Sequence, residues 1–449
     1  MAMTPRRKLL ELLLLLAALV GAWLGTATLE LPQADRTDEP EWTAISVATT
    51  RQLAGGPVSG ARRDAREGEL DPDPWRQGVQ GTTFGWPNPL LHKLVWGVVC
   101  EPVAPEGLRP NLFFRYHRGD LARASAAIQP WVPAIERARL VVAAASALCG
   151  LLLLLCARQL AGWPGGLAAL ALWVAHPLVR SWSHQARPDL GMLALVLATL
   201  WAALRLREAL CGGRGVRGLW LAALALGLLA GLAAGTKLNG GLAGVFAVLA
   251  VLLAGCAPAD SPASPLARLG AAALTGAVFL LTLLTLLPWA ASAPLERLPE
   301  LLGFWSEHMA FQQDRLEQVG GLATRTNTER LDLMATRLLG RDEPLHAILG
   351  LPLGWLAAAL GAGALVVGAL RGQGELEPSR FRLAGLWCLV VLVGSTLWLP
   401  LDWDRYFLAP VAVLVLLEAV LLGSLLGSVS RRLRPAPGPG PLPAATPRS

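Results

Sequence analysis

Charge is scarce in this sequence, and lysine is scarcer still. Only 16% of the 449 residues are charged, where a soluble domain carries about a quarter. The shortfall excludes an evenly solvated globular chain, because long apolar runs stand where the charge is missing. Lysine supplies three of the 39 basic residues, Lys8, Lys93 and Lys237. The net charge of +7 matters less than its placement, since the basic residues of the short loops lie mostly on one side of the apolar runs. No solvated basic domain is there to bind nucleic acid. Cysteine is sparse too: Cys100, Cys149, Cys156, Cys211, Cys256 and Cys388 form no CxxC pair or other metal spacing. Four of the six sit in apolar runs, so they read as small buried hydrophobes, and neither a disulfide framework nor a zinc site is expected. No internal repeat is found.

The apolar runs are present in number. A run of 18 or more apolar residues reaches across ~30 Å of hydrocarbon as helix. The first, 9–27, follows Arg6, Arg7 and Lys8 and reads as an uncleaved signal anchor rather than a signal peptide. Further spans are expected at 138–156, 163–181, 189–206, 217–235, 238–255, 268–290, 345–370, 383–400 and 406–428. The expected fold is an all-α polytopic membrane protein of about ten transmembrane helices, forming one domain over 1–428.

Alternation from a cytoplasmic N-terminus places Arg158, Arg205, Arg207, Arg214, Arg217, Arg268, Arg371, Arg380, Arg382, Arg431, Arg432 and Arg434 inside. The short outer loops hold only Arg180, Arg187, Lys237 and Arg405. This is the positive-inside asymmetry, and it puts both termini in the cytoplasm. Two long segments, 28–137 and 291–344, fall outside. The first contains Leu90 to Cys100, too short to cross as helix at ~16 Å, and reads as an interfacial or re-entrant helix. The tail 429–449 is rich in proline and reads as disordered and cytoplasmic.

Six mixed polar clusters interrupt this pattern, all on the outer side. They are Asp35 to Trp42, Trp86 to Lys93, His184 to Asp189, Gly235 to Gly240, Phe304 to Arg315, and Asp402 to Tyr406. A single such cluster is adequately explained as interfacial anchoring. Six on one face point to an outward site for a charged substrate at the membrane surface. Two of the three lysines fall in these clusters, and a compact ammonium is a good point-charge partner for phosphate. Trp42, Trp75, Trp86, Trp305 and Trp403 lie near the same boundary, where an aromatic belt is expected.

Asp38-Glu39-Pro40-Glu41-Trp42-Thr43-Ala44-Ile45-Ser46, close behind the first apolar run, resembles the opening of the exported loop in the GT-C class of membrane glycosyltransferases. Within that class it is similar to the protein-mannosyltransferase and aminoarabinose-transferase branch. Asn88-Pro89-Leu90-Leu91-His92-Lys93 resembles that branch's Pro-Pro-Leu-x-Lys stretch, with Asn88 in place of the first proline. Ala186-Arg187-Pro188-Asp189, Gly235-Thr236-Lys237-Leu238-Asn239-Gly240 and Arg405-Tyr406-Phe407-Leu408 also fit the branch pattern. A large soluble C-terminal domain, which some members use to bind the acceptor, is not seen, so the acceptor stays open among lipid, protein and glycan.

The resemblance implies a GT-C-like fold with juxtamembrane helices in the first outer loop. It implies transfer of a sugar from a polyprenyl-phosphate donor to an acceptor at the extracytoplasmic face of the plasma membrane. Carried onto this chain, it makes Asp38 the catalytic base with Glu39 beside it, and sets Lys93 near the lipid phosphate. Lys237, Arg187 and Arg405 are further candidates for the phosphate. Asp189, Asn88, His92 and Tyr406 are candidates to bind substrate, with Asp189 also readable as a helix N-cap. His92, His184 and His308 are candidates to orient an acceptor or ligate a divalent metal, against plain interfacial hydrogen bonding. Two other functions remain open: a transporter or lipid flippase, which calls for charges near helix midpoints and repeated halves, and a non-catalytic membrane scaffold.

Overall fold

The computed structural model describes residues 39–53, 88–105, 128–209, 215–254, 264–318, 323–351, 354–371, 378–399 and 403–433. The expected first span, 9–27, lies outside these residues, as do Asp38, Trp75, Trp86 and the tail from 434. What is described is helical. Two helices come from the first outer loop, α1 (Glu39–Leu53) and α2 (Leu91–Cys100). Then follow α3 (Val132–Ala175), α4 (Pro177–Ser183), α5 (Asp189–Ala209), α6 (Gly215–Thr236), α7 (Leu242–Ala254) and α8 (Pro265–Thr285). The late loop supplies α9 (Pro294–Gln318), α10 (Asn327–Leu338) and α11 (Pro344–Leu349). The chain closes with α12 (Gly354–Arg371), α13 (Pro378–Leu397) and α14 (Leu408–Leu433).

Six segments of the described residues are long and apolar enough to cross a membrane: Gln129–Ala175, Arg217–Thr236, Pro265–Thr285, Gly354–Arg371, Pro378–Leu397 and Asp404–Val429. The first holds two of the expected spans. At Ala161 and Gly162 the backbone leaves the helix, Gly162 at φ +71°, a region open to glycine for want of a Cβ. The two arms then fold back on each other, with Gly150 against Trp173 and Gly166 against Leu154. The Trp173 indole donates to the Ser146 carbonyl at 2.9 Å. The expected span 345–370 is broken instead: Gly350 at φ +68° caps α11, and α12 begins only at Gly354.

α14 lies at the centre. Val411 to Val420 are buried on every side, as expected of a helix apolar all round, and α14 packs along α3 and α12. One acid interrupts it. Glu418 is fully buried, and its carboxyl stands beside that of Glu343, which is buried too. An ionisable group thus sits inside this span as well as at span ends. α8 is peripheral and turns Leu266, Leu269, Leu280 and Leu281 outward, a surface suited to lipid.

A stripe of small residues fixes the C-terminal end of α6. Gly227, Gly231 and Gly235 recur every fourth residue and press against Thr275, Thr282 and Leu286 of α8 and its C-terminal cap. Small residues at this spacing let backbones approach closely where lipid offers no hydrophobic drive. The next residues, Thr236 and Lys237, are thereby set in place. α2 docks on the same end: Leu90 N–H donates to the Leu286 carbonyl at 2.9 Å, and His92 Nδ1 meets the Thr236 carbonyl at 2.9 Å. The buried face of α2 carries His92, Lys93, Trp96, Gly97 and Cys100, while Val95, Val98 and Val99 face outward. A helix with polar groups turned in and valines turned out is suited to the membrane interface.

Candidate functional site

The polar clusters meet at one end of the bundle. Gly191 of α5 faces Thr236 of α6 there, and Gly394 of α13 faces Leu242 of α7. At the other end Gly165 meets Gly423, and Gly270 meets Trp220. Arg158 and Arg205 belong to that second end and lie over Trp163 and Trp201.

Lys237, at the end of the glycine stripe, is the centre of the cluster. Its Nζ donates to Asp189 Oδ1 at 2.5 Å, and 20% of the lysine side chain stays exposed. Asp189 is the first residue of α5, so the carboxylate serves the lysine as well as the positive end of its helix. Arg187 and Arg405 are close enough to act on the same ammonium. Burial is the main cause holding Lys237 below its ordinary pKa, the two arginines add to it, and Asp189 opposes them. Asp189 thus stands among three cations, Lys237, Arg405 and Arg187.

Aromatic rings and a second ring of charges hold the two arginines. Arg187 lies over Trp182 at 5.0 Å. Arg405 lies over Trp403 at 4.3 Å and Tyr406 at 5.3 Å, and those two rings are parallel at 6.1 Å. Asp404, next to Arg405, accepts from Arg337 at 2.7 Å and from Arg341 at 3.4 Å. Arg337 also pairs with Asp342 and lies over Phe407 at 4.1 Å.

Lys93 and His92 form the inner wall. Lys93 is fully buried, its Nζ donating to the Asn88 carbonyl at 2.9 Å. Burial lowers its pKa from 10.5 to about 7. His92 stands edge-on to Trp42 at 4.9 Å and to Trp96 at 5.7 Å. Burial first, then Lys93, pushes its pKa down to about 3. The imidazole is therefore neutral, and its bond to the Thr236 carbonyl places the proton on Nδ1. Lys237 is the more accessible of the two lysines.

Glu39 has a different setting from an open acid. Its carboxylate is fully buried and takes Arg139 Nε at 2.9 Å and Nη2 at 2.6 Å. It also accepts the Ala186 N–H at 2.6 Å. Glu39 thus ties the start of α1 to α3 and to the Ala186-Arg187-Pro188-Asp189 stretch. Asp38 lies outside the described residues, one position before this anchor. Sequence reasoning missed Arg139. Its signal was an arginine just inside an apolar run, at the end where the mixed clusters lie.

His184 is buried at the cluster's edge, and its pKa is lowered by that burial first, then by Arg139. Among the described residues no three of His, Cys, Asp and Glu come together as a metal site. The four described cysteines, Cys100, Cys149, Cys156 and Cys388, are buried thiols.

Known proteins share this architecture. The model of the dolichyl-phosphate-mannose-protein mannosyltransferase family matches residues 132–289, from the start of α3 past the end of α8. The crystal structure of ArnT from Cupriavidus metallidurans in the apo state superposes with a TM-score of 0.52 at 16% identity, over 94% of this chain and 60% of that one. This is a GT-C fold. The same ArnT bound to undecaprenyl phosphate gives a TM-score of 0.49 at 16% identity, over 94% of this chain and 61% of that one. The chain thus spans about 60% of the length of the solved structures it resembles. No curated protein matches the sequence. The cation cluster lies where α2 meets the bundle, at the end of α6.

Proposed function

We propose that this chain is a membrane glycosyltransferase that moves a sugar from a polyprenyl-phosphate donor to an acceptor at the extracytoplasmic face. The observation that carries the reading is the gathering of Arg187, Lys237 and Arg405 around Asp189 at one end of an apolar bundle. A lipid phosphate needs cations at the membrane surface with a hydrophobic wall below them, and this end of the fold supplies both. The matching family is described by a dolichyl-phosphate sugar, a donor of this kind.

Polyprenyl phosphate is already a good leaving group, so the reaction needs no strong general acid. It needs a base for the acceptor proton, and a carboxylate within reach supplies about 10²–10⁴-fold. Asp38 takes that role, because Glu39 is committed to Arg139 and the Ala186 N–H. Charge grows on the phosphate as its bond to C1 breaks. Lys237, Arg187 and Arg405 stabilise that charge, with Lys93 behind them. Asn88, His92 and Tyr406 line the substrate side. Attack from the face opposite the phosphate inverts the anomeric centre. The arginine asymmetry supports a plasma-membrane protein with both termini cytoplasmic.

Sugar transfer from a panel of radiolabelled polyprenyl-phosphate sugars, wild type against Asp38→Asn, tests this reading. Transfer by wild type that collapses in the variant supports it. Absence of binding to every polyprenyl-phosphate sugar overturns it. A transporter is the second reading, favoured by Glu418 within α14, since intramembrane acids mark ion and substrate paths. Substrate flux in proteoliposomes without sugar transfer would select it.

A further inference from the structure

The late-loop helix α9 brings one more group of side chains to the cations. Trp305 and Leu238 pack against the same three residues, Leu287, Ala290 and Leu301, and Leu238 directly follows Lys237. Three residues on, His308 lies close enough to Arg405 for the two charges to interact. α9 thus passes close to the cations, with Trp305 packed on the same small cluster as the neighbour of Lys237 and His308 near Arg405. Phe304 is parallel to His308 at 5.8 Å, and Trp305 stands edge-on to both rings, at 5.5 Å and 5.6 Å.

Gln312 and His308 keep hydrogen-bonding capacity beyond the bond they share. The Gln312 amide donates to His308 Nε2 at 2.8 Å, and Gln312 Oε1 is buried with no partner. That bond places the proton of the neutral imidazole on Nδ1, which bonds to no described residue. With the amide turned over, its NH₂ group and the Nδ1 lone pair are left instead. In either arrangement Gln312 and His308 present one donor and one acceptor side by side. Buried polar atoms in folded proteins are nearly always satisfied, so an empty one calls for an occupant.

We propose that Phe304, Trp305, His308 and Gln312 form a saccharide subsite that receives the sugar of the donor. A pyranose has an apolar face of C–H groups, which suits the negative face of an aromatic ring. Its rim of hydroxyls both donates and accepts, which suits the Gln312 and His308 pair. Its place also fits: the sugar is bonded to the phosphate, so a phosphate held by Lys237 and Arg405 leaves the sugar against α9. The inference rests on the polyprenyl-phosphate donor proposed for this site.

The test uses the full chain in nanodiscs, with polyprenyl phosphate and polyprenyl-phosphate hexose as probes, and Gln312→Met and Phe304→Leu as volume-keeping variants. The expected result is an about tenfold loss of affinity for the hexose lipid in Gln312→Met, the worth of a hydrogen bond or two, with bare polyprenyl phosphate bound as in wild type. Unchanged hexose-lipid affinity with a raised KM for a glycan acceptor would assign the subsite to the acceptor and overturn the donor assignment. Unchanged values throughout would overturn the subsite altogether. If wild type binds neither lipid, the donor reading fails on its own, and saturation-transfer NMR with methyl hexosides decides the subsite. A saturation-transfer signal in wild type that disappears in the variants keeps it. A signal absent from wild type, or equal in the variants, removes it. A variant that also loses bare-lipid binding is replaced by His308→Phe, read by the same ratio.

Discussion

Arg139 and Glu39 bury opposite charges in a GT-C fold at the point where the first outer loop joins the bundle. Removing one partner strands the other, which costs about 3–5 kcal/mol, whereas replacing both with apolar residues costs much less. Arg139→Ala is therefore expected to lower the thermal midpoint severely. Arg139→Met combined with Glu39→Met is expected to recover most of that loss, short of the one N–H of Ala186 left without its acceptor. Lys93 gives a pH signature. Its folded pKa of about 7 lies below the ordinary 10.5, so between those values the unfolded chain binds more protons and stability rises with pH. Binding of the lipid phosphate runs the other way, weakening as pH rises through about 7 while Lys93 loses its charge. Lys93→Met is expected to bind weakly with that pH slope removed, as read by titrating donor affinity from pH 6 to 9. The residues of the site were legible because they sit at the ends of apolar runs, where charge is conspicuous. Their partners were not, since Glu39 and Arg139 are joined only by the fold.

Two helix contacts decide whether the site assembles. A Cβ on Gly97 would stand 1.9 Å from Thr50 Oγ1 and 2.5 Å from the Ser46 carbonyl, so Gly97→Val is expected to part α1 from α2. Gly231→Leu would drive a side chain into Thr282 and the Phe279 carbonyl, moving the end of α6 that bears Lys237. Both variants are expected to lose donor affinity without any change to a charged residue, which a lipid-binding assay on protein of unaltered helical content checks. Element positions followed well from run length and from glycine and proline. The turn at Gly162 falls between the spans expected at 138–156 and 163–181. The stripe of Gly227, Gly231 and Gly235 was visible but unread, because its meaning depends on α8 lying alongside. In the late loop the mixed cluster Phe304 to Arg315 was visible, but the place of α9 was not, since it comes from Trp305 packing on Leu287, Ala290 and Leu301, where Leu238 also packs.

At the scale of the whole molecule, alternating spans bring the described mixed clusters to one end and place Arg158 and Arg205 at the other. The site needs that alternation, since its cations come from segments as far apart as Lys93 and Arg405. Glu418 is the exception to an apolar interior. A polar carboxyl buried in an apolar span is costly, so Glu418→Leu is expected to raise the thermal midpoint without altering sugar transfer; loss of transfer would give Glu418 a part in function. The central claim is that the outer cation cluster holds a lipid phosphate. Its most direct measurement is the affinity of purified protein for polyprenyl phosphate, wild type against Lys237→Met and Arg187→Met. The account predicts saturable binding by wild type, weakened about tenfold or more by each substitution, as removal of a charge-assisted hydrogen bond requires. Binding that is absent, or unchanged in both variants, would contradict it.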